Sequence, residues 1–358
     1  MHALLKLTTL AVFCLTAHVR HANAAMYSGS TAHHVCTGPQ SLAVSGSTLW
    51  VGCAADFAYT LAKVTLVKHA PAAIELVDFA PANPPNVKAA FGIALDSKGD
   101  LWACQNALGQ VAVVDSADLS IRGPFLVGNA PRAIAVNQDD DTVYVVNNGF
   151  PTGNVVRLDD QGNATGNFDV GQGPRALCLD ADANVFVANS LDDSITKLSA
   201  DGAVLGTFSV GNSPTDVACD TARGVVWVSN NGDDSVTQLD SVSGDVLGTF
   251  PVGQAPRGLA VNAQGHVLVT NSGDNTVVEL GPNGSALKTI KVGAGPVAVV
   301  IALDGTAYVA NGDAASVSVL LSAGAPGASH RHKKPTKKPT HKLKGRGLLR
   351  ASAEAFSQ

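Results

Sequence analysis

The fold is decided by VGQAPRGLAV (residues 252–261) followed by VLVTN (residues 267–271). The first stretch joins a Val-Gly-x-x-Pro motif to a short apolar strand, and the second is an apolar strand that ends in Asn. The residues between and after the two strands are rich in Gly, Asn, Asp and Ser, which are turn formers. Short apolar runs bounded by such turns indicate consecutive antiparallel strands.

The same unit recurs along the chain. Val-Gly-x-x-Pro occurs at residues 127–131, 170–174, 210–214, 252–256 and 292–296. Each copy is followed by a second strand that ends in an asparagine: Asn147, Asn189, Asn230, Asn271 and Asn311. A third alternating strand and a fourth strand then lead into the next copy. Four short strands in roughly 40 residues are typical of a propeller blade.

Two degenerate copies precede these five, one with Ala90 before FGIAL and one with Pro39 before SLAV, which gives seven. The seventh copy has only three strands, within residues 297–321. Residues 28–36 precede the first copy and supply a fourth strand for the last blade, although His33 stands where other blades have Phe. The sequence therefore predicts an all-β fold: residues 25–323 form a seven-bladed β-propeller of four-stranded antiparallel blades, closed by the N-terminal strand.

Residues 25–323 resemble the YVTN/NHL-type repeat propellers through VYVVN (143–147), VFVAN (185–189), VLVTN (267–271) and YVAN (308–311). The resemblance implies the fold but no single activity, because these families include surface-layer components, binding scaffolds and several enzymes.

The turn Gly99-Asp100 leading into Leu101-Trp102 is also similar to the streptogramin lyases, which implies a channel-side His working with a metal. The propeller region holds only His33, His34, His69 and His266, and none is expected at the top of the channel.

The two ends of the chain differ from the middle. Residues 1–24 read as a signal peptide, with Lys6, an apolar run too short to span a bilayer, and a small-x-small site ending at Ala24. We therefore expect a secreted protein, extracellular or periplasmic, without a transmembrane segment. Residues 324–358 hold nine basic residues and one acidic residue, and their Pro-interrupted sequence predicts a disordered tail.

The charge distribution along the chain restricts the classes of partner that the protein is expected to bind. Residues 25–323 hold 13 basic and 28 acidic residues, so the propeller is acidic while the tail is basic. The tail suits an anionic glycan or cell surface, or else is a solvated extension without a partner. A protein or small-molecule partner for the propeller stays open, whereas export and the acidic propeller disfavour nucleic acid.

The candidate site lies at one end of the central channel. In an up-and-down blade, the links between blades and the turns between strands two and three share one face, which we call the top. Arg132, Arg175 and Arg257 follow the repeat Pro and should therefore meet at the top mouth. They either form a cationic ring for an anionic ligand, since guanidinium groups suit carboxylates and phosphates, or each binds a neighbouring turn carboxylate.

Asp216 occupies a position that other blades fill with Ala or Gly, where small size allows close approach near the axis. Its carboxylate would bind a cation or a substrate hydroxyl, or would simply be hydrated. We predict Arg132, Arg175, Asp216 and Arg257 as ligand-binding residues.

Other top-face features have mainly structural interpretations. The strand-ending asparagines are expected to tolerate left-handed backbone and to bond their own turns. A longer loop at residues 80–88 and the turn carrying Phe150 and Pro151 would extend a binding face.

Five cysteines remain after removal of the signal peptide. Export favours disulfides, and the pairs left open are Cys178 with Cys219, Cys53 with Cys104, and Cys36 with Cys53, against buried free thiols. No metal-binding Cys/His spacing is present, so we predict no metal and no cofactor.

These features lead to two alternative hypotheses for the function. The first is a noncatalytic binding or structural scaffold with a ligand or partner site at the top mouth. The second is a small-molecule lyase or lactonase that uses Asp216 with the arginines. The absence of Gly-x-Ser-x-Gly and of phosphate-binding glycine loops favours the first.

Overall fold

The structure is a computed structural model that describes residues 27–28, 32–53, 61–67, 70–77, 90–149 and 152–322. These residues form 29 strands and one short 3-10 helix, Asn106–Leu108. Across the described ranges, no helix has the length and apolar character needed to cross a membrane.

The strands fall into seven antiparallel sheets, one for each blade. Blade 1 contains β3 (Pro39–Ser45), β4 (Thr48–Cys53), β5 (Leu61–Val67) and β6 (Ala70–Val77). Blade 2 contains β7 (Ala90–Leu95), β8 (Leu101–Gln105), β9 (Gln110–Val114) and β10 (Ile121–Leu126). Blade 3 contains β11 (Pro131–Val136), β12 (Val143–Asn147), β13 (Asn154–Leu158) and β14 (Ala164–Asp169). Blade 4 contains β15 (Pro174–Leu179), β16 (Val185–Asn189), β17 (Ser194–Leu198) and β18 (Val204–Ser209).

Blade 5 contains β19 (Pro214–Asp220), β20 (Val225–Asn230), β21 (Ser235–Asp240) and β22 (Val246–Pro251). Blade 6 contains β23 (Pro256–Val261), β24 (Val267–Asn271), β25 (Thr276–Leu280) and β26 (Ala286–Lys291). Blade 7 contains β27 (Pro296–Ile301), β28 (Ala307–Asn311) and β29 (Ser316–Ser322), together with β1 (Tyr27–Ser28) and β2 (Ala32–His34) from the N-terminal region.

The innermost strands β3, β7, β11, β15, β19, β23 and β27 contact one another in a closed ring. The second strands are buried on both faces because each lies between neighbouring blades, which explains their nearly continuous apolar sequences. Their largest side chains, including Trp102, Phe186 and Trp227, fill the spaces between blades. The prediction of a seven-bladed propeller is confirmed.

The N-terminal strands complete blade 7, as predicted. Both β1 and β2 pair antiparallel with β29. His33 pairs with Val317 in the register in which Phe208 pairs with Ile195 in blade 4, so His33 does occupy the position of the repeated Phe. Burial lowers the pKa of His33, because the charged imidazolium loses hydration there.

Two of the three cysteine pairings left open by the sequence are disulfides in the structure. The Cys36–Cys53 disulfide attaches the closing segment to blade 1, and the Cys178–Cys219 disulfide joins the innermost strands of blades 4 and 5. Cys104 is a buried free thiol, so the alternative Cys53–Cys104 pair is not made. Two disulfides indicate an oxidising environment.

The strand-ending asparagines differ from our expectation. They are buried strand residues, and Asn230 donates from Nδ2 to Ser235 Oγ at 3.1 Å and to Thr237 Oγ1 at 2.9 Å. Left-handed backbone occurs instead at later turn positions, such as Asp234. The cause is packing against the link between blades: a Cβ added to Gly211 would lie 2.7 Å from Asn230 Cγ. This contact explains why Val-Gly and Asn recur together.

Several predictions concern residues outside the described ranges. These are the signal peptide at residues 1–24, the tail at residues 324–358, the loop at residues 80–88, and Phe150 with Pro151. The domain boundaries drawn from the sequence therefore stay predictions.

Candidate functional site

The top mouth of the channel is built from the residue that follows the repeat Pro, or its equivalent, in each innermost strand. In blade order these residues are Gln40, Phe91, Arg132, Arg175, Thr215, Arg257 and Val297. They open onto a cavity of about 260 Å³ that residues of all the innermost strands line. Pockets for drug-sized ligands occupy about 300–1,000 Å³, so this cavity suits a small ligand.

The structure brings the three predicted arginines together. Burial and, to a smaller extent, the positive charges of Arg175 and Arg257 together lower the pKa of Arg132 to about 10. Burial and the charge of Arg257 also lower the pKa of Arg175. Because these guanidinium groups repel one another, the mouth is a concentrated positive site within an acidic propeller.

Two of the three arginines are held in place by neighbouring side chains. The guanidinium carbon of Arg132 lies 5.6 Å from the centre of the Phe91 ring, a cation–π contact. Arg175 donates from Nε to Ser190 Oγ at 2.9 Å, and Ser190 in turn donates to the carbonyl of Gly173. Arg257 is exposed.

Turn carboxylates do not neutralise this cluster. Those of Asp192, Asp233 and Asp274 instead accept backbone N–H groups of the links between blades, at 2.6–2.7 Å. Within the part of the chain that the structure describes, no carboxylate forms an ion pair with Arg132, Arg175 or Arg257. The positive charge is therefore left available for a ligand.

Asp216 lines the same cavity, one residue below Thr215. Its Oδ2 accepts the N–H of Leu259 in blade 6 at 2.8 Å, and its Oδ1 accepts the N–H of Val217 at 2.9 Å. Burial raises the pKa of Asp216 to about 7, against the effect of these two hydrogen bonds. Asp216 thus links two blades, and both carboxylate oxygens already have backbone partners.

The position of Asp216 belongs to a ring of small residues where the blades approach closely. A Cβ added to Gly258, the equivalent residue in blade 6, would lie 2.7 Å from the Cα of Ala298 in blade 7. At the equivalent position in blade 5, the larger Asp216 reaches the backbone of Leu259 in blade 6.

Below the ring of mouth residues, aliphatic residues line the cavity together with Asp216. These aliphatic residues, which we call the aliphatic floor, come from five blades and are almost fully buried: Leu42, Ile93, Ile134, Leu177 and Val299. Sequence reasoning missed both this floor and the Phe91 contact. The sequence did contain a signal for the floor, because the third residue after the repeat Pro, or after Ala90 in blade 2, is aliphatic in every blade.

The remaining titratable groups lie elsewhere. His266 forms a 2.7 Å hydrogen bond through Nδ1 with the buried Glu279 and does not line the cavity. In the described ranges, no group of three or more His, Cys, Asp or Glu side chains is arranged to hold a metal ion.

Comparisons with known proteins agree with the fold and leave the function open. The structure is similar to hydrazine synthase of Kuenenia stuttgartiensis, with TM-score 0.68, 18% identity, and coverage of 79% of this chain and 95% of the other. It is similar to a catalytically inactive virginiamycin B lyase of Staphylococcus aureus with quinupristin, with TM-score 0.68, 14% identity, and coverage of 86% and 99%. It also matches the WD40 β-propeller domain of Doa1, with TM-score 0.66, 17% identity, and coverage of 82% and 96%.

At these identities the similarity shows the propeller fold alone. No family model matches the sequence, and no curated protein does. The neighbours include enzymes and a WD40 domain, so neither catalysis nor a purely structural role follows from the fold.

Proposed function

We propose that this protein is a secreted, noncatalytic binding propeller of the YVTN/NHL type that captures an anionic ligand at the top mouth of its channel. The supporting observation is the cluster of Arg132, Arg175 and Arg257, which have no carboxylate partner among the described residues. Guanidinium groups form strong charge-assisted hydrogen bonds with carboxylates and phosphates. An anion bound between them would relieve their mutual repulsion.

Both ends of the chain contribute to this function. Residues 1–24 direct export, and the two disulfides are consistent with an oxidising compartment. Residues 324–358 attach the protein to an anionic glycan or cell surface through their basic side chains.

The test is calorimetric titration of the full chain with inorganic phosphate at constant ionic strength. Replacing all three arginines with Gln should weaken binding by at least about 100-fold, since each charge-assisted hydrogen bond contributes about 1.5–3 kcal/mol. Arg223→Gln is the matched control, because Arg223 bonds Asp220 away from the cavity. If the triple variant binds phosphate as the wild type does, the arginine site is wrong; loss of folding would show that the arginines serve stability instead.

The alternative function is a small-molecule lyase or lactonase. The observation in its favour is the pKa of about 7 at Asp216, which suits a general base. Against it, both oxygens of Asp216 accept backbone N–H groups. Lactone or ester turnover by the wild type that disappears in Asp216→Ala would replace our proposal with this one.

A further inference from the structure

The two halves of the ring of mouth residues differ in charge and polarity. Neighbouring blades 3, 4, 5 and 6 present Arg132, Arg175, Thr215 and Arg257, whereas blades 7, 1 and 2 present Val297, Gln40 and Phe91. All the mouth guanidinium groups therefore lie on one arc, and the two apolar mouth residues lie on the opposite arc.

The apolar arc has surface that a ligand could cover. Phe91 and Val297 are only half-buried, whereas Leu42, Ile93 and Val299 below them are already almost fully buried. A bare inorganic anion would contact only the arginines and would leave Phe91 and Val297 in contact with water. A ligand with an apolar body would remove the same surface from water, which is favourable.

The three positive charges of the mouth determine how much negative charge the head group of a ligand should carry. Three guanidinium groups face the cavity without a carboxylate partner in the described residues, so a single negative charge would leave most of the repulsion in place. The carboxyl of Asp216 lies deeper, beneath Thr215 on the arginine side, and its two oxygens are held by the backbone. A ligand anion is therefore favoured at the mouth and disfavoured below it.

Resting on the anion site proposed above, we infer that the ligand is a small amphipathic organic acid with a dianionic head group. Its head lies between Arg132, Arg175 and Arg257. Its apolar body lies against Phe91 and Val297, above the aliphatic floor. The cavity of about 260 Å³ limits that body to about the size of one ring or a short chain.

The experiment compares three probes by calorimetry on the full chain at matched ionic strength: inorganic phosphate, phenyl phosphate and benzyl alcohol. Phenyl phosphate should bind at least about ten-fold more tightly than inorganic phosphate, because its ring is buried. Benzyl alcohol, which lacks the head group, should not compete with phenyl phosphate. Val297→Asn should reduce the ratio of phenyl phosphate affinity to phosphate affinity at least about three-fold.

Val246→Asn is the matched control, because Val246 is 53% exposed on the outer strand of blade 5. This variant should keep the wild-type ratio. Equal affinities for phosphate and phenyl phosphate would overturn the amphipathic ligand and leave the anion site standing. Competition by benzyl alcohol, or an unchanged ratio in Val297→Asn, would also overturn it. Failure of the wild type to bind either phosphate compound would instead overturn the proposed function itself.

Discussion

The carboxylate of Asp216 in blade 5 lies 2.8 Å from the backbone nitrogen of Leu259 in blade 6, so one side chain of the channel wall joins two blades. Three residues along the same strand, Cys219 forms the disulfide with Cys178 of blade 4. Blades 4, 5 and 6 are therefore connected by side-chain links near the channel, in addition to their packing. Blade 4 carries Arg175 and blade 6 carries Arg257, so these links fix the blades that bear two of the three mouth arginines.

Asp216 should make stability depend on pH. Its pKa is raised in the folded state to about 7, so between its usual value of 3.8 and 7 the folded protein binds more protons than the unfolded chain. The free energy of unfolding therefore falls as pH rises through this window. Relative to Asp216→Ala, we expect the wild type to lose about 2 kcal/mol between about pH 4 and about pH 8.

Urea unfolding of the wild type and Asp216→Ala at both pH values measures this difference. Asp182→Ala, which changes an exposed turn carboxylate, is the control and should follow the wild type. A difference between wild type and Asp216→Ala that is the same at both pH values would show that Asp216 is ionised throughout.

A second set of links joins the blades on the bottom face. In each, a side chain of strand three donates to a carbonyl in the next blade, and Lys197 donates from Nζ to Ser241 O at 2.6 Å. The other donor–acceptor pairs are Lys63 with Ser116, Arg157 with Ala200, and Gln238 with Pro282. The side chain of Lys197 is buried and its ammonium lies over the Phe186 ring.

Replacing Lys197 with Met should destabilise the protein by about 1–3 kcal/mol, because the carbonyl of Ser241 would lose its buried donor. Chemical denaturation measures the loss. Lys291→Met, on the exposed outer strand of blade 6, should change stability by no more than about 0.5 kcal/mol. Equal effects of the two substitutions would mean that the link contributes nothing.

His33 should weaken ring closure in acid. Its pKa is lowered by burial, so the folded state resists protonation while the unfolded chain takes up a proton below its usual pKa of 6.5. Stability is therefore lost as pH falls through 6.5 and below. We expect His33→Phe to abolish this loss and to add about 1 kcal/mol at neutral pH by restoring the repeated Phe.

Thermal unfolding between about pH 5 and about pH 8 tests this prediction. His34→Gln, on the exposed side of the same strand, should retain the acid sensitivity. If His33→Phe keeps the wild-type pH profile, the titrating group lies elsewhere.

The basic tail should give salt-sensitive attachment. Replacing the basic residues of 331–350 with Gln in the full chain should eliminate retention on anionic lipid vesicles or acidic polysaccharide. The unmodified protein should elute as the Debye length shortens from about 10 Å at 0.1 M salt to about 3 Å at 1 M. Equal, weak retention of both proteins at every salt concentration would mean that the tail has no surface partner.

The repeat allowed the fold, the blade number and the closure to be predicted, because Val-Gly, Pro and Asn mark the same structural position in each blade. It also placed Arg132, Arg175 and Arg257 on one cavity, since position in the repeat fixes position around the axis. The bonding of Asp216 to Leu259 was not predictable, because it crosses between blades, whereas the repeat pattern describes positions within one blade. The link from Lys197 to Ser241 was missed for the same reason.

A crystal structure of the full chain with 4-bromophenyl phosphate would show directly whether the channel mouth binds anions. We expect phosphate oxygens about 2.7–2.9 Å from guanidinium nitrogens of Arg132, Arg175 and Arg257. The anomalous signal of bromine should lie toward Phe91, Val297 and the aliphatic floor. Phosphate bound elsewhere, or an empty mouth with the three arginines paired to turn carboxylates, would contradict the claim that this channel mouth is an anion-binding site.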